Sequence, residues 1–490
     1  MLPLPSLAGL STAATGGCGI NMNSVGGDYS VGTIYFDNTY STTHIGDIVT
    51  IGNSSTTLSG ILSMNGSAVN NVGAVSGNNF SSLLIANYMS SATTKTLEIR
   101  NGVGSGNKNL TLNLAAAGSM AAGTGNTINL NVLLTGTQSL TFTGGGTLSL
   151  APSGAATVNT FSGPITVANG TLIAGNAGAF STVAPNIITL GSAPANSGKL
   201  KLNGNNITLG GLSTNGTAGL LNTVDNGSTP ATLTINNSAG YIFGGSLNNG
   251  VAGTLTLIKT GTGVLTLSGF NQYTGNTTVS NGTLRLNYTG GGTIPSSNSI
   301  TINGGILRVS TDQTINNLTL TSGSLIVDAG ATLTITGTYT TGSGFIQNNG
   351  TIEMKGSALQ SFPGVTVTVT SMNNLIINNN FGVNLNKSLN VGGVLTLTAG
   401  TFTVGANTLT INNPIAGTPN NLSANNTSSI TIAGTAAGVD LPSSVSQLNN
   451  FTISNTVGTY LQGNLNVGGT MFISAAAGTV EADFSVTLKR

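Results

Sequence analysis

The residues able to carry out acid–base chemistry are few and widely spaced. Hydrolysis of a polysaccharide generally needs two carboxylates about 5–10 Å apart, and this 490-residue chain has 11 Asp and Glu residues. Side chains two positions apart share one face of a strand. Three pairs that include a carboxylate have this spacing: Glu481 with Asp483, Glu98 with Arg100, and Glu353 with Lys355. Exposed charges of this kind contribute little energy, so we interpret them as surface charge, assign no catalytic residue and predict that the chain is not an enzyme.

Metal ligands and nucleophiles are equally isolated. His44 is the one histidine, and with Asp47 nearby it offers too few ligands for a zinc site. Asp28, Asp37 and Asp47 recur every nine or ten residues and could stack as calcium ligands. Cys18 has no histidine beside it, so we do not expect it to be a nucleophile. We therefore predict no metal site, no cofactor and no cofactor-binding residue.

The composition indicates a chain with many thin cores. Charged residues make up 5% of the chain, against roughly 25% in ordinary soluble proteins. Gly occurs 72 times, aromatic residues make up 5%, and Trp is absent. The net charge of +1 excludes broad electrostatic attraction to nucleic acid. It also removes the repulsion that keeps copies apart, so we expect self-association.

Short alternating segments predict strands with one apolar and one polar face. Examples are LTLNL at 110–114, TLTIT at 332–336 and VTVTVT at 365–370. Gly- and Asn-rich segments separate them about every 8–12 residues, a spacing typical of sandwiches, barrels and solenoids. No apolar run approaches the length of about 18 residues that a membrane-spanning helix needs.

Tandem copies favour a solenoid among these folds. FSGPITVANGTL at 161–172 aligns with YTGNTTVSNGTL at 273–284, and residues 373–397 align with residues 449–473. A parallel β-solenoid buries a thin layer of Leu, Val and Ile in each coil and covers it with the next coil. We predict roughly 20 coils of about 20–25 residues in an elongated rod. Gly and Asn would supply left-handed backbone at the corners, and stacked Asn side chains would bond to one another.

A sandwich of antiparallel hairpins is the alternative fold. Asn281–Gly282 separates the alternating segments TTVS and TLRL, and Asn-Gly between two strands is a strong signal for a two-residue hairpin turn. Pairing of these two strands with each other would show the sandwich, whereas pairing of each with another coil would show the solenoid.

Residues 253–286, GTLTLIKTGTGVLTLSGFNQYTGNTTVSNGTLRL, resemble the autotransporter-associated β-strand repeat. The positions of that pattern are occupied by Lys259, Gly261, Gly263, Leu265, Leu267, Gly269, Tyr273, Gly275, Thr277, Gly282 and Leu284. The copy at 146–172 departs from the pattern, because Phe161 stands at the Tyr position and the Lys is missing. The resemblance implies a right-handed parallel β-helix in the passenger region of a bacterial surface protein, extracellular or at the cell surface.

A second repeat type fills residues 317–490, which resemble repeats of very large secreted proteins of Bacteroidetes-like bacteria. We accordingly divide the chain into four parts. These are an N-terminal extension or cap (1–30), a β-rich region that could form the first coils (31–110), a β-solenoid with autotransporter-associated repeats (111–300) and a β-solenoid with the second repeat type (301–490).

Three functions are compatible with these features. The first is a non-catalytic secreted or cell-surface β-solenoid that acts as an adhesin-like stalk or structural surface protein. The second is a self-assembling extracellular filament or matrix subunit, built through the unpaired strand edges of end coils. The third is a polysaccharide-active or ice-binding solenoid, suggested by rows of Thr. The expected partners are further copies of the chain and a glycan or cell-surface ligand, but not nucleic acid.

Overall fold

A computed structural model shows short strands that pair in parallel from coil to coil. It describes residues 124–125, 127–153, 157–482 and 485–488, together with the backbone of nine N-terminal strands. Those strands are β1 (Gly19–Asn21), β2 (Tyr29–Ser30), β3 (Thr33–Phe36), β4 (Ile48–Gly52), β5 (Gly60–Met64), β6 (Leu83–Asn87), β7 (Thr96–Arg100), β8 (Leu110–Leu114) and β9 (Gly118–Ala122).

Forty-one further strands and two single-turn 3₁₀ helices follow, the helices at Gly219–Leu221 and Pro419–Asn421. The next strands are β10 (Thr127–Asn131), β11 (Leu133–Gly136), β12 (Leu140–Thr143), β13 (Thr147–Leu150), β14 (Ile165–Val167), β15 (Gly170–Ala174), β16 (Ile187–Leu190), β17 (Gly198–Lys201), β18 (Ile207–Leu209), β19 (Gly211–Thr214), β20 (Thr223–Asp225), β21 (Ala231–Asn236), β22 (Tyr241–Phe243), β23 (Ser246–Asn248), β24 (Leu255–Thr260), β25 (Val264–Leu267), β26 (Thr277–Val279), β27 (Thr283–Leu286), β28 (Ile300–Val309), β29 (Gln313–Ile315) and β30 (Leu318–Val327). The last are β31 (Thr332–Ile335), β32 (Tyr339–Thr341), β33 (Gly344–Met354), β34 (Gln360–Phe362), β35 (Val367–Asn378), β36 (Val383–Leu385), β37 (Leu389–Val391), β38 (Leu395–Ala399), β39 (Phe402–Thr403), β40 (Thr408–Ile411), β41 (Ala416–Gly417), β42 (Leu422–Ser423), β43 (Ser429–Ile432), β44 (Gln447–Leu448), β45 (Asn450–Ile453), β46 (Gly458–Leu461), β47 (Leu465–Val467), β48 (Met471–Ile473), β49 (Thr479–Ala482) and β50 (Val486–Leu488).

The first of two compact units ends at Leu257. Three of its sheets take strands in chain order: β1-β4-β7-β10-β13-β15-β17-β20-β23, β2-β5-β8-β11 and β3-β6-β9-β12-β14-β16-β19. Each turn of the chain therefore adds one strand to each of several faces, which is the topology of a β-solenoid.

The second unit begins at Ile258 and repeats this arrangement. Its sheets include β26-β28-β30-β33-β35-β38-β41, β34-β36-β39-β42, β37-β40-β43-β45-β48 and β44-β47-β50. The chain as a whole is an all-β solenoid of about 17 stacked parallel turns, and this confirms the predicted fold class. The handedness of the coil, the rod shape and the four-part division of the chain stay predictions.

The core of each unit is a column of aliphatic side chains, one from each coil. In the first unit, register pairing aligns Ile128, Leu148, Leu172, Leu200, Val224 and Leu247, all fully buried. In the second unit, it aligns Leu265, Leu284, Leu307, Leu325 and Ile346, also fully buried. Burial of each such side chain contributes roughly 1.5–3 kcal/mol. Stability therefore accumulates along the stack, as the alternating sequence predicts.

The Asn281–Gly282 segment is a corner of the coil, so the hairpin alternative is wrong. β26 before this corner pairs with β28, and β27 after it pairs with β25 and β28. Gly282 has a φ of +60°, and a Cβ atom there would lie 2.4 Å from the carbonyl oxygen of Gly261 in the preceding coil. Glycine is therefore needed at this position both for its backbone conformation and for the close approach of the next coil.

Coil length varies more than the predicted 20–25 residues. Ile300 is in register with Leu318, 18 residues later, whereas Thr33 is in register with Leu84, 51 residues later. Long connections at the N-terminal coils use up chain length, so the structure has about 17 turns instead of the roughly 20 expected.

Candidate functional site

A buried lysine donates hydrogen bonds to backbone carbonyls at the corners of two consecutive coils in the second unit. Lys259, on β24, is fully buried, and its Nζ donates hydrogen bonds to the carbonyl oxygens of Thr260, of Gly261 at 2.9 Å and of Asn281 at 3.3 Å. Burial lowers the pKa of Lys259 from 10.5 to about 8, because the charged form loses its solvation. This lysine therefore supplies hydrogen bonds to backbone carbonyls at the corners of two coils.

A chain of buried hydroxyl and amide groups lies in the segments between β25 and β28. Tyr273 is fully buried, and its hydroxyl lies 2.6 Å from Oγ1 of Thr277. Thr277 donates its single proton to Oδ1 of Asn298 at 2.9 Å, so Tyr273 is the donor in the first bond. The amide of Asn298 donates to the carbonyl oxygen of Gly275. Burial raises the pKa of Tyr273, an effect only partly offset by Thr277.

The first repeat copy replaces this hydroxyl chain with apolar contacts. By the alignment of 161–172 with 273–284, Phe161 and Ile165 occupy the positions of Tyr273 and Thr277, and both are 1% exposed. The first copy lacks both hydroxyls and the second copy has both. Neither copy therefore leaves one buried hydroxyl of this pair without the other. The sequence comparison alone identified the exchange of Tyr for Phe. The exchange of Thr for Ile can be explained only from the hydrogen bond between Tyr273 and Thr277 in the structure.

Buried asparagines connect each coil to the next. Nδ2 of Asn186 donates to the carbonyl oxygens of Phe161 and Gly163, both at 2.9 Å, just as Asn298 donates to Gly275 in the second copy. Nδ2 of Asn271 likewise donates to the carbonyl oxygens of Gly269 at 2.9 Å and Thr293 at 2.8 Å.

Both roles predicted for asparagine occur, but hydrogen bonding to corner carbonyls is commoner among the buried asparagines. Among the described residues, Asn203 is the one non-glycine residue with a positive φ. Bonds between asparagine side chains occur, as from Nδ2 of Asn412 to Oδ1 of Asn390 at 2.6 Å, but the buried asparagines bond chiefly to backbone. The physical reason is that buried carbonyls need hydrogen-bond donors, and an amide side chain can supply one to a corner of the neighbouring coil.

Charged residues on the surface form a network over adjacent coils. Nε of Arg308 lies 2.9 Å from Oδ2 of Asp328, Ser310 donates to the same oxygen at 2.6 Å, and Nε of Arg285 donates to Ser310 at 2.8 Å. Partial burial raises the pKa of Asp328, but the hydrogen bonds from Arg308 and Ser310 and the charges of Arg308 and Arg285 outweigh it, so the pKa lies below its ordinary value. The network links side chains of adjacent coils and stabilises the ionised form of the Asp328 carboxylate.

The charged pairs singled out in the sequence form no acid–base site in the described part of the chain. Glu353 accepts hydrogen bonds from Oγ1 of Thr334 at 2.7 Å and Nδ2 of Asn378 at 2.8 Å, while Lys355 is exposed beyond the end of β33. Glu481 is exposed on β49, but Asp483 lies outside the described residues.

The remaining candidates lie outside what the structure describes. Glu98 and Arg100 lie on β7, whose side chains are not described, and Cys18, Asp28, Asp37, His44 and Asp47 lie outside the described residues. Among the described residues, no group of three or more His, Cys, Asp or Glu residues is placed to hold a metal ion. No helix in the described part of the chain has the length and apolar character needed to span a bilayer.

The passenger-associated-transport-repeat family matches residues 135–174 and 257–286. These two segments carry the passenger-type repeat, and they lie in a chain that folds as a β-solenoid. The second matched segment contains Lys259, Tyr273 and Thr277, and the first contains Phe161 and Ile165, so the repeat includes these corner and core contacts. Comparison with curated proteins and with solved structures finds no match. The repeat and the solenoid fit a passenger domain of an autotransporter, a family that is usually non-catalytic and secreted or at the cell surface.

Proposed function

We propose that the chain is a non-catalytic segment of a bacterial surface protein, which acts as an adhesin-like stalk or structural scaffold. The observation that carries this proposal is the use of polar side chains within the repeats. Lys259, Tyr273, Asn271 and Asn298 are fully buried and bond within the solenoid. Because these polar groups bond within or between coils and are not exposed to a ligand, their placement favours a mechanical role.

Surface display is the direct test. Antibodies raised against the purified chain should label intact cells of the source organism, and brief protease treatment of intact cells should remove the signal. A cytoplasmic protein serves as the control and should be labelled only after permeabilisation. Labelling of the chain only after permeabilisation would contradict the proposal.

A self-assembling filament subunit is the second candidate, and an uncovered core position favours it. Ile473 on the edge strand β48 is in register with the fully buried Ile453, yet it is 49% exposed. Phe472 beside it is 55% exposed. A further strand paired with β48, from a second copy or from a continuation of the same chain, would cover both side chains. Light scattering over a concentration series should then show association that Ile473→Lys abolishes, and a monomer at all concentrations would exclude it.

A further inference from the structure

A concave cleft of about 640 Å³ opens on the second unit, where segments from several coils meet. Phe270 lies in the connection between β25 and β26, Ile294 and Ser296 lie between β27 and β28, and Asp312 precedes β29. The volume is within the range of sites that bind small molecules. We propose that this cleft binds a neutral pyranoside, as a terminal sugar or short segment of a glycan. This inference rests on the proposed surface function and names its ligand class.

An aromatic ring forms one wall of the cleft. Phe270 is 39% exposed, and its ring packs against that of Tyr288 with centroids 6.0 Å apart and planes inclined at 46°. The next residue, Asn271, is fully buried and donates its backbone N–H and its Nδ2 to the carbonyl oxygen of Thr293. The ring is therefore held at the surface by a fixed backbone. An exposed aromatic face can pack against the C–H groups on the apolar face of a pyranose ring.

A carboxylate is held on the same cleft from both sides. Oδ1 of Asp312 accepts the backbone N–H of Thr332 at 2.9 Å, and its backbone carbonyl accepts the N–H of Gly292 at 2.7 Å. Oδ2 has no hydrogen-bond partner in the described part of the chain. A carboxylate oxygen that accepts from sugar hydroxyls makes short, charge-assisted hydrogen bonds.

Hydroxyl groups and a rigid floor complete the cleft. Ser296, Thr314 and Thr332 line it, and each hydroxyl can both donate and accept a hydrogen bond. The buried side chain of Gln313 accepts from the N–H of Ile294 at 3.1 Å and donates to its carbonyl at 2.9 Å. An aromatic face beside one carboxylate and several hydroxyls matches the alternation of C–H and O–H groups on a pyranose. Asp312 is the one carboxylate among the lining residues, whereas glycoside hydrolysis uses two, so the cleft is a binding site.

The first repeat copy offers an internal comparison. Val158 occupies the position equivalent to Phe270, directly before Asn159 as Phe270 precedes Asn271. Val158 is 37% exposed, so the position is on the surface in both copies. Because Asn159 and Asn271 are both buried and hydrogen-bonded, a valine is compatible with this backbone. Phe270→Val therefore tests the aromatic wall with little risk to folding.

The test is a glycan microarray with the purified full chain, followed by saturation-transfer NMR with each bound glycan and with methyl β-D-glucopyranoside, lactose and N,N′-diacetylchitobiose. We expect a glycan with a Kd of roughly 0.1–1 mM, with saturation transfer strongest on the C–H protons of one ring face. Phe270→Val should weaken binding at least about tenfold. Asp312→Asn, which keeps an acceptor for Thr332, should weaken it by a similar factor.

Phe345→Val is the matched control, because Phe345 is 53% exposed and does not line the cleft; it should leave binding unchanged. No bound glycan, or binding that both cleft variants leave unchanged, would overturn the inference. Stronger binding of tetramethylammonium, displaced by none of the three sugars, would also overturn it and would assign the cleft to cations. Because the assay uses purified protein, its failure is separate from failure of surface labelling.

Discussion

Nζ of Lys259 lies 3.3 Å from the carbonyl oxygen of Asn281, 22 residues later in the chain and one coil further along the solenoid. The backbone N–H of Ser280 returns a bond to the carbonyl oxygen of Lys259 at 2.9 Å. One residue thus joins two coils through both its side chain and its backbone. The repeat places this lysine in the interior, where hydrogen bonds to three carbonyl oxygens offset only part of the free energy lost in desolvation.

Replacement of this lysine should destabilise the second unit. Lys259→Met keeps the length of the side chain but leaves three corner carbonyls without their donor, so we expect a loss of about 2–3 kcal/mol. The measurement is the midpoint of urea unfolding, followed by circular dichroism. Lys355→Met is the control, since Lys355 is exposed, and it should change stability by less than about 0.5 kcal/mol. Equal midpoints for the two variants would contradict the role of Lys259.

Stability should rise as the pH increases from about 8 to 10. The pKa of Lys259 is lowered to about 8 in the folded chain, so over this range the unfolded chain holds a proton that the folded chain has lost. Stability then increases with pH, by about 1–2 kcal/mol. Above pH 10 the trend should reverse, because burial raises the pKa of Tyr273 and of Tyr339 and only the unfolded tyrosines ionise. The urea midpoint of Lys259→Met should not rise between pH 8 and 10. If the midpoint of this variant still rises, the pH dependence arises from other groups.

The Tyr273–Thr277 pair should behave as a coupled unit. Tyr273→Phe alone removes the donor to Thr277, and Thr277→Val alone leaves the buried tyrosine hydroxyl without its partner. Each should cost about 1–3 kcal/mol. The double variant has the apolar character of the first copy, so its cost should be smaller than the sum by at least about 1 kcal/mol. A double-mutant cycle of urea midpoints measures this coupling, and strict additivity would contradict it.

Gly282→Ala should be among the most destabilising surface substitutions. Its Cβ would combine a positive φ with a 2.4 Å approach to the carbonyl oxygen of Gly261, so we expect a cost of about 2–4 kcal/mol. Gly330 separates the two effects, because its φ is +80° but nothing lies within 4 Å of an added Cβ. Gly330→Ala should cost only about 1 kcal/mol. Similar urea midpoints for the two variants would show that the close approach has no effect.

Much of the fold follows from local pattern. Alternation in TLRL predicts β27 and its buried Leu284, and the tandem copies at 161–172 and 273–284 favour parallel coils over hairpins. Apolar residues spaced two apart in a strand can be buried by any neighbouring coil, so these features need no knowledge of distant contacts. The passenger-repeat resemblance at 253–286 was confirmed by the family match at 257–286.

The contacts between side chains of different coils could not be predicted from the sequence pattern. Coil length varies from the 18 residues between Ile300 and Leu318 to the 51 between Thr33 and Leu84, so a fixed period does not reveal which side chains meet. Asn298 reaches Gly275, and Asp312 lies on the same cleft as Phe270, only because of the connections in between. The carbonyl partners of Asn186 and Asn298 lie in neighbouring coils, so the sequence alone does not show these hydrogen bonds.

Every one of these contacts depends on parallel register between successive coils, and paired cysteines test that register directly. Thr278 is in register with Thr301, whereas a hairpin turn at Asn281–Gly282 would instead place Thr278 opposite Arg285. In a chain with Cys18→Ser, we predict that Thr278→Cys with Thr301→Cys forms a disulfide under mild oxidation, seen as a mobility shift that a reductant reverses. Thr278→Cys with Arg285→Cys should stay reduced. A disulfide in the second pair and none in the first would contradict the parallel solenoid.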